Sequence, residues 1–287
     1  MHNWLKTCGA LKLRLAVRLM HSTATLVTTI ALLGSTTRAQ SAPGNLQLSA
    51  NELARRVVTN ELKFQDEDHG QWAYRQEKAE SGKKQVSRII ETKDGDLSRL
   101  LSINDQPLAA EQLQKENQRI QELVRNRAEQ RKLRRTQNTD KESGKRLFKM
   151  LPDAFVFNYA GREGDLIKLS FRPNLNFKPP SFDARVFHGM EGELWVEGKQ
   201  ERLAAINGHL MEDVQFGGGL LGHLDKGGHF EVRQVEVAAG HWEMAVMAVD
   251  MRGKALLFKT INVQQTETRS DFQRVPDDLT LTQAASK

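Results

Sequence analysis

The chain has 287 residues, a formal net charge of +6 and one cysteine, Cys8. That count excludes a disulfide framework, a thiolate zinc site and a thiol nucleophile anywhere after residue 8. The charge is unevenly spread: Lys6, Lys12, Arg14, Arg18 and Arg38 supply five positive charges before Gln40, with no acidic residue among them. Residues 1–39 read as a secretory signal peptide. The basic leader precedes an apolar run, Ala24 to Gly34, that is short for a bilayer span. Thr37-Arg38-Ala39 then offers small residues for cleavage before Gln40, with a cut after Ala42 as the rival. An uncleaved N-terminal anchor is the alternative. Cys8 precedes the apolar run, so it is not the lipidated cysteine that follows a lipoprotein signal. Removing the five leader charges from +6 leaves a mature chain of +1, which gives no support to nucleic-acid binding. The expected location is periplasmic or secreted.

Residues 40–45 read as a linker and 46–287 as one β-rich domain. Ser49 with Glu52 fits a capping box. Leu53, Val57 and Leu62, with Ala54 and Val58, predict a helix from about Asn51 to Lys63. Three strands follow. They are Gln71–Glu80 with Trp72 and Tyr74 on one face, a second around Val86–Ile90, and Leu97–Ile103, which Asn104-Asp105-Gln106-Pro107 ends. Ser81-Gly82 and Asp94-Gly95 are the turns. Ala109 to Arg135 lacks Gly and Pro and predicts one long amphipathic helix; Asp140 to Met150 predicts a second, ended by Leu151-Pro152. From Lys115 to Lys149 there are twelve basic and five acidic residues, a local +7 that leaves −6 for the rest of the mature chain. The helical insert 108–150 therefore concentrates the positive charge.

Phe155, Phe157 and Tyr159 alternate before a turn at Gly161–Asp165, and Ile167, Leu169 and Phe171 alternate after it, which predicts a hairpin. Arg172 to Phe182 is a Pro-rich loop. From Met190 to Val275 short strands alternate with Gly-containing turns at Gly208, Gly240 and Gly253, the pattern of a meander, sandwich or barrel. Asp278 is a candidate cap for a short final helix from Leu279. The expected fold class is α+β and mainly antiparallel β, a curved half-open barrel covered by helices.

Chemical motifs are sparse. Gly217–Gly222 matches GxGxxG in letters, but Gly227-Gly228 leaves no room for the helix on which a pyrophosphate rests, so a turn between strands is expected. His209, His223, His229 and His241 lie near Glu212, Asp213 and Asp225 in sequence without the spacing of a metal motif, and scattered surface histidines are expected. Asp277-Asp278 and Asp66-Glu67-Asp68 read as solvated loop charges or caps. No GxSxG elbow or Walker loop is present. Trp72, Tyr74, Phe155, Phe157, Phe171, Trp195 and Trp242 are candidate lining residues of an apolar cavity, with a packed core as the alternative. Arg119, Arg125, Arg127, Arg131, Lys132, Arg134 and Arg135 are candidates to face an anionic membrane or an acidic partner. The alternative is a solvated face of pairs such as Glu122 with Arg125.

The order of elements resembles the periplasmic LolA/LolB lipoprotein-carrier superfamily, including the RseB-type sensor domain. The Ser49–Lys63 helix, the Trp72/Tyr74 strand and the strands from Leu194 to Val263 carry the resemblance. It implies a cysteine-poor half-barrel whose helices plug an apolar cavity, and a non-enzymatic carrier of lipid or lipoprotein acyl chains. An envelope sensor or scaffold is the second expectation, and a metal-dependent hydrolase using the Gly217–His241 region the third. No cofactor, metal or nucleic acid is expected.

Overall fold

A computed structural model describes residues 48–68, 70–181, 183–219, 221–255 and 259–286. The expected leader, 1–39, and linker, 40–45, lie outside them. The fold is α+β, with a 13-stranded antiparallel sheet. Helix α1 (Ala50–Glu67) starts where the Ser49 side chain accepts a hydrogen bond from the Glu52 amide, and runs one turn past the predicted end. Strands β1 (Gln71–Glu80), β2 (Lys83–Ile90) and β3 (Leu97–Ile103) follow as expected. Asn104 and Asp105 do not simply end β3. Both take positive φ, 50° and 61°, and turn the chain into a short β4 (Gln106–Pro107).

The insert is divided differently from the sequence expectation. Helix α2 (Ala110–Arg125) stops at Asn126, and α3 (Arg127–Ala154) runs unbroken through the predicted gap before Asp140. Asn126 explains the break. Its side chain accepts from the Ala128 and Glu129 amides, capping α3, while Gln130 donates to the last carbonyls of α2 at Leu123 and Val124. Pro152 does not end α3 at once: it lies inside the last turn, lacks the N–H that would reach the carbonyl four residues back, and the helix runs only to Ala154.

The rest is β5 (Phe155–Glu163), β6 (Leu166–Pro173), a 3₁₀ turn (Asp183–Gly189) and β7 (Met190–Glu197). Then come β8 (Arg202–Leu210), β9 (Val214–Phe216), β10 (Gly222–Leu224), β11 (His229–Ala238), β12 (His241–Ala255) and β13 (Lys259–Val275). Thr280, not Asp278, caps the final helix α4 (Leu281–Ala285). Gly208 and Gly253 lie inside strands rather than at turns. A Cβ on Gly253 would stand 2.1 Å from the His223 carbonyl oxygen of β10. Glycine here permits close strand approach.

The strand order is β4-β3-β2-β1-β13-β12-β11-β8-β7-β6-β5, with β10 pairing β12 and β9. The path does not return on itself, so the sheet is open. Helix α1 and the end of α3 pack with β5–β12 through Ala54, Val57, Phe148, Leu151, Phe171, Leu194 and Met244. Helices α2 and α4 cover β1–β3 through Ala73, Leu97, Ile120 and Leu281. Among the described residues no helix is long and apolar enough to cross a membrane.

Glu116 ties α2 to β3. Its carboxylate accepts from the Leu100 amide at 2.8 Å and from Arg119 at 2.7 Å. Burial opposes the charged form, but those bonds outweigh it and hold the carboxyl below its ordinary range. A depressed folded value means the stabilisation is present above the unfolded value and is lost as pH falls through the folded one. Acid titration should therefore loosen α2 below about pH 4. Protection of the Leu100 amide against hydrogen exchange, relative to its intrinsic rate at each pH, should fall there in the wild type. Glu116→Gln keeps an acceptor for that amide but cannot titrate, so it should show no acid step.

Candidate functional site: an apolar groove with a cationic rim

Helices α1 and α3 pack antiparallel and are clasped at two levels. Arg55 pairs with Asp153 at 2.8 Å, and Asp66 with Lys145 at 2.5 Å. The hydrogen bond from Lys145 holds the Asp66 carboxyl below its ordinary range. Between the clasps the helices leave a groove of about 570 Å³, within the size range of small-ligand sites. Val58 and Leu62, one helical turn apart on α1, and Met150 and Pro152 of α3 give it apolar walls. Val58 is buried and Leu62 half-buried, so the groove opens directly off the core.

The rim is basic. Arg55 is engaged by Asp153, and the Thr59 hydroxyl donates to the Arg55 carbonyl. Arg146 bonds the Ser143 hydroxyl at 2.9 Å, and neither Arg146 nor Lys149 has a carboxylate partner among the described residues. Hydrocarbon walls beside two uncompensated cations suit an amphiphile with an anionic head, since charge-assisted bonds are the strong ones. The sequence held one signal of this site, the Val58–Leu62 repeat with Met150. The long-range pairing of α1 with α3 was not readable.

The aromatic residues singled out from sequence fall into separate groups. Phe155, Phe157 and Phe171 pack together with ring centroids 4.6–6.3 Å apart and are buried in the main core. Trp72 and Tyr74 form a second cluster with Ile89, toward the other end of the sheet. Trp195 is opposite Lys168 in register, on the face of β7 away from Leu194 and Val196, with the Lys168 ammonium 4.9 Å from its ring. Trp242 lies 5.8 Å from the Arg202 guanidinium and donates to Gln200. None of the seven lines the α1–α3 groove.

A polar layer runs beneath Tyr74. Arg269 stacks 5.0 Å from its ring and pairs with Glu267 at 2.6 Å, all three buried. Burial drives the Tyr74 hydroxyl well above its ordinary value. For Arg269 burial works against the charge, but Tyr74 and Glu267 overcome it and raise its value further.

Among the predicted basic residues, Arg119 is tied to Glu116 and the Ser98 carbonyl, and Lys132 sits 3.7 Å from Glu129. Arg125, Arg127, Arg131, Arg134 and Arg135 are exposed and have no ion pair among the described residues, so the Glu122–Arg125 pair of the alternative reading does not form. Of the acidic run, Asp66 and Glu67 lie in the last turn of α1 rather than in a loop, and Asp68 is the C-cap of that helix. Asp68 receives bonds from His241 at 2.9 Å and from the Gly70 amide; these outweigh burial and lower its value. His209 meets Glu191 and His223 meets Asp225. Among the described residues no group of three or more such side chains is placed to hold a metal. Gly217, Gly218 and Gly219 all have positive φ and turn β9 into β10, a strand-to-strand connection.

Compared with known proteins, the chain matches no family model and no curated protein.

Proposed function

We propose that the chain is a binding protein that holds an acyl chain, of a lipid or of an acylated protein, without covalent chemistry. The observation that carries this reading is the α1–α3 groove, with Val58, Leu62 and Met150 as walls and Arg146 and Lys149 at the rim. On this reading the open sheet curves as a half-open barrel, and α1 and α3 are the helices that plug it. The aromatic core behind the groove is then the extension into which a longer chain inserts when the helices part. The resemblance to the LolA/LolB superfamily in element order supports the same assignment, and the leader would deliver the mature chain, from Gln40, to the periplasm or outside the cell.

Native mass spectrometry of residues 40–287, purified without detergent, should show a retained mass that releases as acyl chain. Burying or losing one large apolar side chain changes affinity by about 1.5–3 kcal/mol. Leu62→Glu should therefore weaken binding of a fluorescent fatty acid at least tenfold, and Arg146→Gln with Lys149→Gln should weaken the fatty acid more than its uncharged alcohol. A clean apo mass that stays unchanged after incubation with fatty acid or acylated peptide would falsify the proposal.

A second reading, an envelope sensor or scaffold, is favoured by one observation. Strand β5 is an edge of the sheet and exposes Val156 and Tyr159, each 43 % accessible. An extended segment of a partner adds to such an edge through main-chain hydrogen bonds. Binding of an envelope protein lost on Val156→Lys, with no acyl ligand found, is the outcome that would favour it.

A further inference from the structure

The unpaired cations of α3 are not scattered around the helix. At 100° per residue, Arg127, Arg131, Arg134 and Arg135 fall on one solvent-facing stripe, and Arg146 and Lys149 continue it. The stripe covers about a third of the helix circumference, beside the buried face formed by Gly144, Phe148 and Leu151, and Lys145, which pairs with Asp66, lies within it. It extends about 33 Å along the axis, from Arg127 to Lys149. Glu142 is the acidic residue that falls on it between those ends. Solvated helix faces usually balance their charges by pairs three or four residues apart. Here the arginines have no such partners among the described residues, although carboxylates outnumber cations in the rest of the mature chain.

The stripe ends at the groove. Arg146 and Lys149 belong both to the row of cations and to the rim around Val58, Leu62 and Met150. One helix face therefore presents a long cationic track that leads into an apolar slot. A nucleic acid or an acidic protein would match the track alone. An anionic bilayer matches both parts, because it offers a plane of negative headgroups with acyl chains directly beneath them.

We propose that the solvent face of α3 is a docking surface for an anionic lipid bilayer, oriented so that the α1–α3 groove opens toward the acyl chains. Docking needs only the stripe, whereas transfer of a chain into the groove rests on the acyl-binding reading above. The contact is electrostatic and peripheral. It should weaken steeply with salt, because exposed charges are screened within about 8 Å at physiological ionic strength.

The test is flotation of residues 40–287 with vesicles of phosphatidylcholine alone and of phosphatidylcholine with phosphatidylglycerol. Binding is expected only to the anionic vesicles and should be lost at high salt. Each basic residue at an anionic surface contributes roughly a fivefold gain in affinity, so Arg131→Gln/Arg134→Gln/Arg135→Gln should lose about a hundredfold. The triple variant should keep its circular dichroism spectrum and its binding of soluble fatty acid. Leu62→Glu should dock as the wild type does but extract no lipid. If the wild type docks yet takes up no acyl chain from vesicles or solution, the groove reading fails and the docking surface stands. Equal binding to both vesicles, no binding to anionic vesicles at low salt, or full binding by the triple variant would each overturn the proposal. So would a wild type that ignores vesicles but binds polyglutamate through the same arginines, which would make the partner an acidic protein.

Discussion

Replacing Glu61 with alanine is expected to destabilise the protein by about 3–5 kcal/mol, a large share of the ordinary stability of a folded domain. Glu61 projects from α1 into the core and is 1 % exposed. One carboxylate oxygen accepts from Arg202 Nε at 2.7 Å and from the Leu203 amide at 3.0 Å. The guanidinium is fully buried, stacks 4.1 Å over Phe64 and also donates to the Gly240 carbonyl. Alanine would leave a charge and a backbone donor in the interior without their acceptor, where desolvation is uncompensated. Denaturant titration should show the midpoint falling, and thermal melting should fall by about 10 °C for a chain of this size. Glu61→Gln keeps an acceptor and should lose less. A loss below about 1 kcal/mol for the alanine variant would mean that water or a rearranged neighbour replaces the carboxylate. Because the pair fastens α1 to β8, the alanine variant should also bind acyl probes more weakly, in step with its loss of helix docking.

Gly192→Ala is the second substitution with a large expected effect, about 1–3 kcal/mol or more from overpacking. Gly192 of β7 lies opposite Gly208 of β8. A Cβ there would stand 2.0 Å from the Asn207 carbonyl oxygen, 2.6 Å from Gly208 Cα and 2.7 Å from Phe171 Cζ. Two of those atoms are backbone, so the strands must part for the methyl group to fit. The third is the ring at the centre of the phenylalanine cluster. Adding Phe171→Leu to Gly192→Ala relieves the ring clash but not the backbone clash. The double variant should therefore recover only part of the loss expected from summing the two single changes. Unchanged unfolding of Gly192→Ala would show that β7 and β8 can spread without cost.

The strands and helices that sequence patterns located well were those with local rules. Ser49 and the apolar repeat announced α1, and the alternation Phe155-Phe157-Tyr159 against Ile167-Leu169-Phe171 announced the β5–β6 hairpin. The errors came where local chemistry and long-range packing compete. Asn126 is a strong N-cap, yet a stretch without Gly or Pro hid it within one apparent helix. Gly208 and Gly253 read as turns because glycine's need for space beside another backbone looks the same in sequence as its need for positive φ. The candidate site was less legible than the fold. The groove depends on α1 meeting α3, and on which cations find carboxylates: Arg119 does, Arg131 and Arg134 do not. Aromatic residues, by contrast, were conspicuous in sequence and were grouped as one lining, although alternation in β7 turns Trp195 to the other side of the sheet from Leu194.

The pairing of β1 with β13 joins residues near Gln71 to residues near Val275, almost the full length of the described chain. Among the described residues, strands β2, β3 and β4 join the backbone ladder of the sheet only through β1. A ribosome or a translocation pore releases β1 first and β13 nearly last, so the N-terminal strands wait for most of synthesis with one edge unmatched. Non-local pairing of this kind makes folding slow and leaves intermediates open to aggregation. Folding should thus be limited by arrival of the last strand, and a chain stopped before Lys259 should hold β1–β4 as a separate, protease-sensitive unit that a chaperone must shield.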